Sequence, residues 1–225
     1  MMDMHKLNQF VTLIILVVNF SSQAIENAIY EKLDKNKQLV GAIYNGNLEE
    51  VKEAIEKGAD VDYIDEYRGT SLMAAFYYRQ YHLVKFLIDS KANVNIADKG
   101  LTALHYAAYQ QAPDYVFKLL IGAHADVNAQ SDNGNTPLLA YLGKGYGLDL
   151  SVIQLLLDAG ADTNLKNKAN EGPIELATKF EKVENREPVL KLLKDWQEKT
   201  RKAIKQETDK YILPDLGNII CEYLI

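Results

Sequence analysis

Apolar and polar residues follow one another along this chain in a pattern that repeats. Short apolar runs with helical spacing, such as Val84, Phe86, Leu87 and Ile88, are followed by turns of small and polar residues. The turns read Gly-Ala-Asp-Val-Asn or a close variant, with the alanine at positions 59, 92, 125 and 161. Successive alanines are 33, 33 and 36 residues apart, which indicates a repeating unit of about 33 residues.

A second pattern lies about 23 residues before each of the last three turns. It reads Thr70-Ser71-Leu72-Met73, Thr102-Ala103-Leu104-His105, Thr136-Pro137-Leu138-Leu139 and, in a degraded form, Gly172-Pro173-Ile174-Glu175. A threonine before an apolar run is typical of a helix N-cap, so each central unit is predicted to open with a capped inner helix. An outer helix then carries the leucines. No single unit can bury its apolar face alone, so the stack of units must form the core.

The two patterns in phase resemble the ankyrin-repeat family, whose unit opens with Thr-Pro-Leu-His, continues through a pair of small residues and ends in Gly-Ala-Asp-Val-Asn. The closest copy is 102–128, with Ala107-Ala108 as the small pair. The resemblance covers about residues 37–196, with the first and last units degenerate. It implies an all-α ankyrin-repeat solenoid of about five helix-turn-helix units.

The ends of the predicted repeat domain, 39–196, carry residues suited to close the stack. Ile25, Ile29 and Leu33 recur at helical spacing and predict an amphipathic helix over 25–38 that caps the first repeat. The fifth unit ends with apolar residues that would cover the other end. These are Leu190, Leu192, Leu193 and Trp196.

The spacing of 36 between the last two turn alanines requires an insertion in the fourth unit. The glycine-rich run 143–147 (Gly-Lys-Gly-Tyr-Gly) lies where the two helices of that unit should join. Three glycines in five residues predict a flexible loop there.

Residues 1–24 have the three parts of a secretory signal. A weakly basic start (His5, Lys6) precedes an apolar stretch over 10–20, and Ser22-Gln23-Ala24 supplies small residues for a peptidase. Eleven helical residues rise roughly 16 Å, about half of a bilayer core, which does not support a spanning helix. We therefore expect cleavage after Ala24 and an exported protein, periplasmic or secreted. An uncleaved anchor and a buried N-terminal helix are the alternatives.

Composition narrows the functional classes. The chain has 225 residues, of which 48% are hydrophobic and 25% charged, as in a folded globular protein. Its net charge of −6 makes nucleic acid an unfavourable partner. The single cysteine, Cys221, allows no internal disulfide and no metal site of the CxxC type.

The sequence offers little catalytic chemistry. His82, His105 and His124 lie at different phases of the repeat and are not expected to converge on a metal. His105 occupies the histidine position of the family pattern, which implies a hydrogen bond to neighbouring backbone. The recurring acids Asp60, Asp126 and Asp162 are expected to serve turns and caps. No phosphate-binding loop or nucleophile elbow occurs, so we predict a protein that is not an enzyme and takes no cofactor.

The resemblance also implies where a partner binds: at the turn tips and at the two variable positions after the small-residue pair. Those positions are Tyr44-Asn45, Tyr77-Tyr78, Tyr109-Gln110 and Gly143-Lys144. Tyrosine falls first in three successive units, so the rings are expected to line a concave groove, where tyrosine is a common interface anchor. The alternative is that the rings pack on one another and cover the inner helices. The predicted binding residues are Tyr44, Tyr77, Tyr78, Tyr106, Tyr109 and Gln110, with a polar rim of Asp65, Glu66, Asp98, Lys99, Asp132 and Asn133.

A helical tail is predicted over 197–225. Its Leu213-Pro214 start and the apolar residues that follow resemble the opening of F-box-like (PRANC-like) tails, which dock on a ubiquitin-ligase adaptor. The resemblance is short, and Leu216 stands where an acidic residue is usual. The alternative is an amphipathic helix that caps the stack. The residues that would dock are Leu213, Pro214, Ile219, Ile220 and Leu224.

Together these features predict a monomeric, non-catalytic module that binds a protein through its concave face. We expect neither nucleic acid nor, after signal cleavage, a membrane among its partners. One alternative is an exported effector of an intracellular bacterium that recruits a host ubiquitin-ligase adaptor through the tail. Another is an enzyme or inhibitor that uses the 143–147 loop.

Overall fold

The computed structural model describes residues 4–179 and 186–211, with side chains over 25–179 and 186–208. In these residues the chain forms ten helices, and its only β-pairing consists of two isolated bridges, Asp65–Gly69 and Asp98–Leu101. The all-α prediction is confirmed. The helices are α1 (Met4–Asn45), α2 (Leu48–Glu56), α3 (Ser71–Tyr77), α4 (Tyr81–Asp89), α5 (Ala103–Tyr109), α6 (Asp114–Gly122), α7 (Pro137–Leu142), α8 (Leu150–Asp158), α9 (Pro173–Lys179) and α10 (Arg186–Tyr211).

The helices form two layers. The inner layer contains α1, α3, α5, α7 and α9, each packed against the next, and in the outer layer α4, α6, α8 and α10 do the same. Five helix pairs therefore stack side by side, as predicted. Most of these helices have only six to nine residues, so none could bury an apolar face without its neighbours.

Threonine caps open the inner helices. The hydroxyl oxygens of Thr70 and Thr136 accept hydrogen bonds from the N–H groups of Met73 and Leu139, at 3.4 and 3.3 Å. This confirms the predicted capping in the second and fourth units. In the third unit, the Thr102 N–H donates to Nδ1 of His105 at 3.2 Å, so the histidine side chain secures the start of α5.

One continuous core runs through the stack from Leu39 to Leu193. Ala75, Ala107 and Ala108 are fully buried in it, which confirms that small residues let the inner helices approach closely. The end of the stack is covered as expected: Leu190 and Leu193 of α10 are buried, and Leu192 and Trp196 are half-buried.

The N-terminal end differs from expectation. Helix α1 is continuous across residue 24, but Ile25 and Ile29 are 62% and 61% exposed rather than packed on the first repeat. The physical reason is length: the nine residues of α2 span about 14 Å and can cover only the last turns of α1. From residue 25 on, where the side chains of α1 are described, the first buried residues are Asn36 and Leu39. No helix in the described part of the chain is long and apolar enough to span a membrane.

The predicted insertion lies between α7 and α8, where the sequence placed it. It is held at both sides by hydrogen bonds. The Gln111 side-chain amide donates to the Tyr146 carbonyl, and the Asp149 N–H donates to the Tyr141 hydroxyl oxygen at 2.9 Å. The first bond fixes the loop against the third repeat and the second fixes it against α7, and α8 packs on α6.

The turns between repeats confirm the role predicted for the recurring acids. The Oδ1 atoms of Asp60, Asp126 and Asp162 each accept a hydrogen bond from the N–H two residues further on, at 3.0, 2.9 and 2.8 Å. This geometry is an Asx-turn, which closes the loop locally.

A second set of bonds joins helix α1 to the first turn and each of the next three turns to the one before it, and we call it the turn ladder. Its members are Asn36 of α1 and the turn residues Asp62, Asn95 and Asn128, whose Oδ1 atoms each accept a backbone N–H of the following turn at 2.8 Å. Asn95 and Asn128 also donate through Nδ2 to the carbonyls of His124 and Gly160, at 3.0 and 2.9 Å. The ladder was not predicted above, although the Asp or Asn that ends each turn motif was its signal in the sequence.

The first residue of each turn motif has a left-handed backbone. Gly58 and Gly160 adopt φ values of 91° and 92°, and Lys91 and His124 adopt 71° and 63° in the same role. Lysine and histidine have a Cβ that disfavours this conformation, so two of the four turns carry local strain.

Candidate protein-binding face

Tyr44, Tyr77 and Tyr109 occupy the same position at the ends of successive inner helices, as the repeat register predicts. Tyr44 is 61% exposed and Tyr77 is 49% exposed, whereas Tyr109 is half-buried. With Tyr78 and Tyr106, which are also half-buried, these rings form the surface that we call the tyrosine face.

The rings of this face contact one another. Tyr78 lies between its neighbours, with ring centroids 4.8 Å from Tyr44 and 5.2 Å from Tyr77, both edge to face. Burial, and to a smaller extent the negative charge of Asp98, raise the pKa of the Tyr106 hydroxyl. The sequence left open whether these rings are available to a partner or pack on one another. Tyr44, Tyr77 and Tyr78 pack on one another, and two of these rings, Tyr44 and Tyr77, still expose much of their area to solvent.

Arg68 extends from the hairpin of the second unit onto this face. Its guanidinium carbon lies 4.4 Å from the Tyr77 ring centroid and 5.5 Å from that of Tyr78. Nε donates to the Tyr78 hydroxyl at 2.7 Å and Nη1 donates to the Tyr67 carbonyl at 3.2 Å. The bond to the Tyr78 hydroxyl raises the pKa of Arg68 above its usual value. Arg68 is thus a fixed cation on the face, held by cation–π contacts and hydrogen bonds.

Lys144 supplies a second cation, one repeat beyond Tyr109. Its Nζ lies 5.7 Å from the Tyr109 ring centroid, which is within the range of a cation–π contact. Lys144 is half-buried. It occupies a variable position that the family pattern implied, although that pattern did not predict a contact with the preceding repeat.

The hairpin tips lie beside the tyrosine face, as the contacts of Arg68 with Tyr77 and Tyr78 show. At these tips Asp65 and Asp98 are half-buried, and the Asp65 Oδ1 accepts the N–H of Tyr67 at 2.9 Å. Gln110 is half-buried at the end of α5. The remaining predicted rim residues are exposed: Glu66, Lys99, Asp132 and Asn133.

The histidines are engaged in the fold. His105 is fully buried, and its Nε2 lies 2.8 Å from the Asn135 carbonyl oxygen while Nδ1 accepts the Thr102 N–H. These bonds fix a neutral ring that carries its proton on Nε2, and burial lowers the pKa of His105. The predicted backbone bonding of His105 is confirmed. The Nε2 atom of His82 lies 2.9 Å from the Gly46 carbonyl oxygen. His124 occupies the left-handed turn position.

The 143–147 loop brings its nearest ionisable groups into structural contacts. The Asp149 Oδ1 accepts the Ser151 N–H at 2.8 Å and so caps α8, while the Lys144 amine lies over Tyr109. Among the described side chains, no three His, Cys, Asp or Glu residues are grouped closely enough to hold a metal ion. The tail residues 213–224 that were predicted to dock an adaptor lie outside the described residues.

A comparison with known families agrees with this architecture. The family model described as ankyrin repeats (3 copies) matches three overlapping stretches of the chain, residues 11–98, 39–130 and 104–203. Together they cover residues 11–203, which include every residue of the tyrosine face and all or most of each helix of the stack.

Proposed function

Because the chain belongs to the ankyrin-repeat family, whose repeats are generally protein–protein interaction modules, we propose that it is a non-catalytic module that binds a protein partner on the tyrosine face. The observation that carries this proposal is the exposed pair of rings, Tyr44 and Tyr77, with the fixed cation Arg68 over Tyr77. We further propose that the protein acts as a monomer, with the partner covering this face.

The edge-to-face contacts favour binding because they hold the rings before a partner arrives. Tyr78 contacts both Tyr44 and Tyr77, so little side-chain freedom remains to be lost on association. Each ring also combines apolar area with a hydroxyl group, which suits an interface that must be both apolar and specific.

The test is a pull-down in which the double variant Tyr77→Ala/Tyr109→Ala is compared with Tyr115→Ala. Tyr115 is a matched control because it is 46% exposed but lies on the outer helix α6, away from the face. Circular dichroism would first establish that each variant is folded. We expect the double variant to lose the partner and Tyr115→Ala to keep it.

Two results would contradict this proposal. If both variants lose the partner equally, the tyrosines contribute only nonspecific apolar contact. If both variants still capture the partner, the binding surface lies elsewhere. A third variant that ends at Trp196 tests the tail, because a partner lost only with that truncation binds the C-terminal segment.

We also propose, from the sequence pattern of residues 1–24, that the protein is exported and cleaved after Ala24. N-terminal sequencing of the protein recovered from a secreting host should read Ile-Glu-Asn-Ala, starting at Ile25. Recovery of an intact N-terminus in the cell pellet would refute export.

A further inference from the structure

Basic side chains on the outer helices and basic side chains on the tyrosine face differ in whether they pair with a carboxylate. On the outer helices α2, α4 and α6, lysines pair with a carboxylate one turn away in the same helix. The pairs are Lys52–Glu49, Lys57–Glu53, Lys85–Asp89 and Lys118–Asp114, at 2.6 to 2.7 Å. On the tyrosine face, Arg68 and Lys144 form no ion pair with any described side chain, and both are half-buried over rings.

The Arg68 guanidinium is held by hydrogen bonds to uncharged groups, and its positive charge is not paired with a carboxylate of the described residues. A guanidinium has five N–H donors, and the bonds to the Tyr78 hydroxyl and the Tyr67 carbonyl occupy Nε and Nη1. Within the described part of the chain, no acceptor binds Nη2. Since the two hydrogen bonds and the contact with Tyr77 hold the group in place, an incoming carboxylate would meet donors that are already positioned.

The spacing of the two cations limits the geometry of a ligand. Arg68 lies over Tyr77 of α3 and Lys144 lies over Tyr109 of α5, the next inner helix. Packed helices are about 8 to 10 Å apart, and the two cations belong to elements one to two repeats apart, so they are separated by about 10 to 20 Å. At about 3.1 to 3.3 Å per residue, an extended segment covers that distance with roughly three to six residues.

We propose that the tyrosine face binds an extended acidic segment of its partner, with two carboxylate side chains about three to six residues apart. One carboxylate pairs with Arg68 and the other with Lys144, while apolar side chains between them contact Tyr77 and Tyr109. This inference rests on the proposed function and names the chemistry of the partner. The net charge of −6 does not oppose binding of an acidic segment strongly. At physiological ionic strength, salt screens the repulsion from charges more than about 8 Å away.

The opposite choice, a basic segment, would use the carboxylates of the hairpin tips. Asp65 is partly committed, because its Oδ1 accepts the Tyr67 N–H, and Asp98 lies near the Tyr106 hydroxyl. Neither acid is held over the exposed rings as Arg68 is. The observations therefore favour the acidic ligand, and selection of basic peptides becomes an outcome of the test.

The experiment is a selection of random ten-residue display peptides on the full chain, followed by titration of the enriched peptides. They are titrated against wild type, Arg68→Gln/Lys144→Gln, and the control Lys85→Gln/Lys118→Gln, which removes the same charge from the outer helices. We expect enriched peptides to carry two acidic residues about three to six positions apart. Their affinity should fall at least about tenfold on the first variant and stay within about twofold on the control.

Arg68→Lys is a further variant that separates charge from geometry. It keeps the positive charge but removes the bidentate fork, so an intermediate loss of affinity is expected. Circular dichroism of each variant checks that the stack is intact. Raising the salt concentration should weaken the acidic peptides more than it weakens any neutral peptide that binds.

Enrichment of basic peptides, enrichment without charge preference, or no enrichment at all would overturn the acidic-segment inference. Peptides that respond to Tyr77→Ala/Tyr109→Ala but not to Arg68→Gln/Lys144→Gln would overturn it and leave the proposed function intact. Peptides that respond to neither variant would count against both.

Discussion

The turn ladder and the tyrosine face are built from the same repeat and use their polar groups in opposite ways. In the ladder, Asn95 and Asn128 each accept one hydrogen bond and donate another to the next turn, so their amides are used within the chain. On the face, Tyr44 and Tyr77 remain about half exposed and Arg68 keeps unused donors. Polar groups at the turn position of the repeat are therefore used within the fold, whereas those at the ends of the inner helices stay accessible on the surface.

The largest expected effect is at the fully buried His105, which bonds to the next repeat. His105→Ala should lower the free energy of unfolding by about 2 to 4 kcal/mol, because it opens a cavity, leaves the buried Thr102 N–H without its acceptor and removes one of the two donors to the Asn135 carbonyl. Urea denaturation measures this. Tyr77→Ala, on the face, should cost no more than about 1 kcal/mol. If the two variants lose equal stability, the division between buried bonds that hold the repeats together and the exposed face is wrong.

The pH dependence of stability sharpens the same comparison. Burial lowers the pKa of His105, so the unfolded chain takes up the proton more readily than the folded one. The stabilisation is therefore complete above about pH 6.5 and is lost as the pH falls from there toward the folded pKa, by at most about 2 kcal/mol at pH 5. Urea midpoints between pH 8 and pH 5 should fall in wild type and in His82→Gln. A similar fall in His105→Gln would show that another group is responsible.

Two asparagines five positions apart offer a matched test of ladder and rim. Asn128→Ala removes two bonds to the following turn and should cost about 1 to 2 kcal/mol. Asn133→Ala, at an exposed hairpin tip, should change stability by no more than about 0.5 kcal/mol. Thermal and urea unfolding of both variants would decide, and a larger loss from Asn133→Ala would contradict the assignment.

The smallest expected effect is a gain in stability. His124→Gly should stabilise the fold by about 0.5 to 1 kcal/mol, because glycine adopts the φ of 63° without the strain of a Cβ. Gly160→Ala, at the equivalent position with φ of 92°, should destabilise by about 1 kcal/mol. A destabilised His124→Gly would mean that the imidazole makes a contribution that outweighs the backbone strain.

The sequence predicts what recurs with the period of the repeat. The capping threonines, the buried alanines and the turn acids all reappear at fixed offsets, and their predicted structural roles are confirmed at Thr70, Ala107 and Asp126. The alignment of Tyr44, Tyr77 and Tyr109 on successive helices follows from the same register. Their role in binding remains a prediction.

What the sequence could not predict depends on contacts that occur once. Arg68 lies in a hairpin whose residues vary between units, so no offset indicated that its side chain would reach Tyr77. The exposure of Ile25 and Ile29 was missed for a related reason. An amphipathic pattern shows that a helix has an apolar side, but only the length of its neighbour decides how much of that side is covered.

The loop at 143–149 shows that one repeat can be longer than the others without a shift in the register of the bonds between repeats. Although the fourth unit is three residues longer than the two before it, the Asp162 N–H still bonds to Asn128 at 2.8 Å, the distance found in the shorter units. Added residues at this point are not transmitted to the rest of the stack. Lengthening such a loop costs only about 0.6 kcal/mol per doubling. The solenoid thus has a site, beside Lys144 and the tyrosine face, where residues can be inserted while the other repeats keep their register.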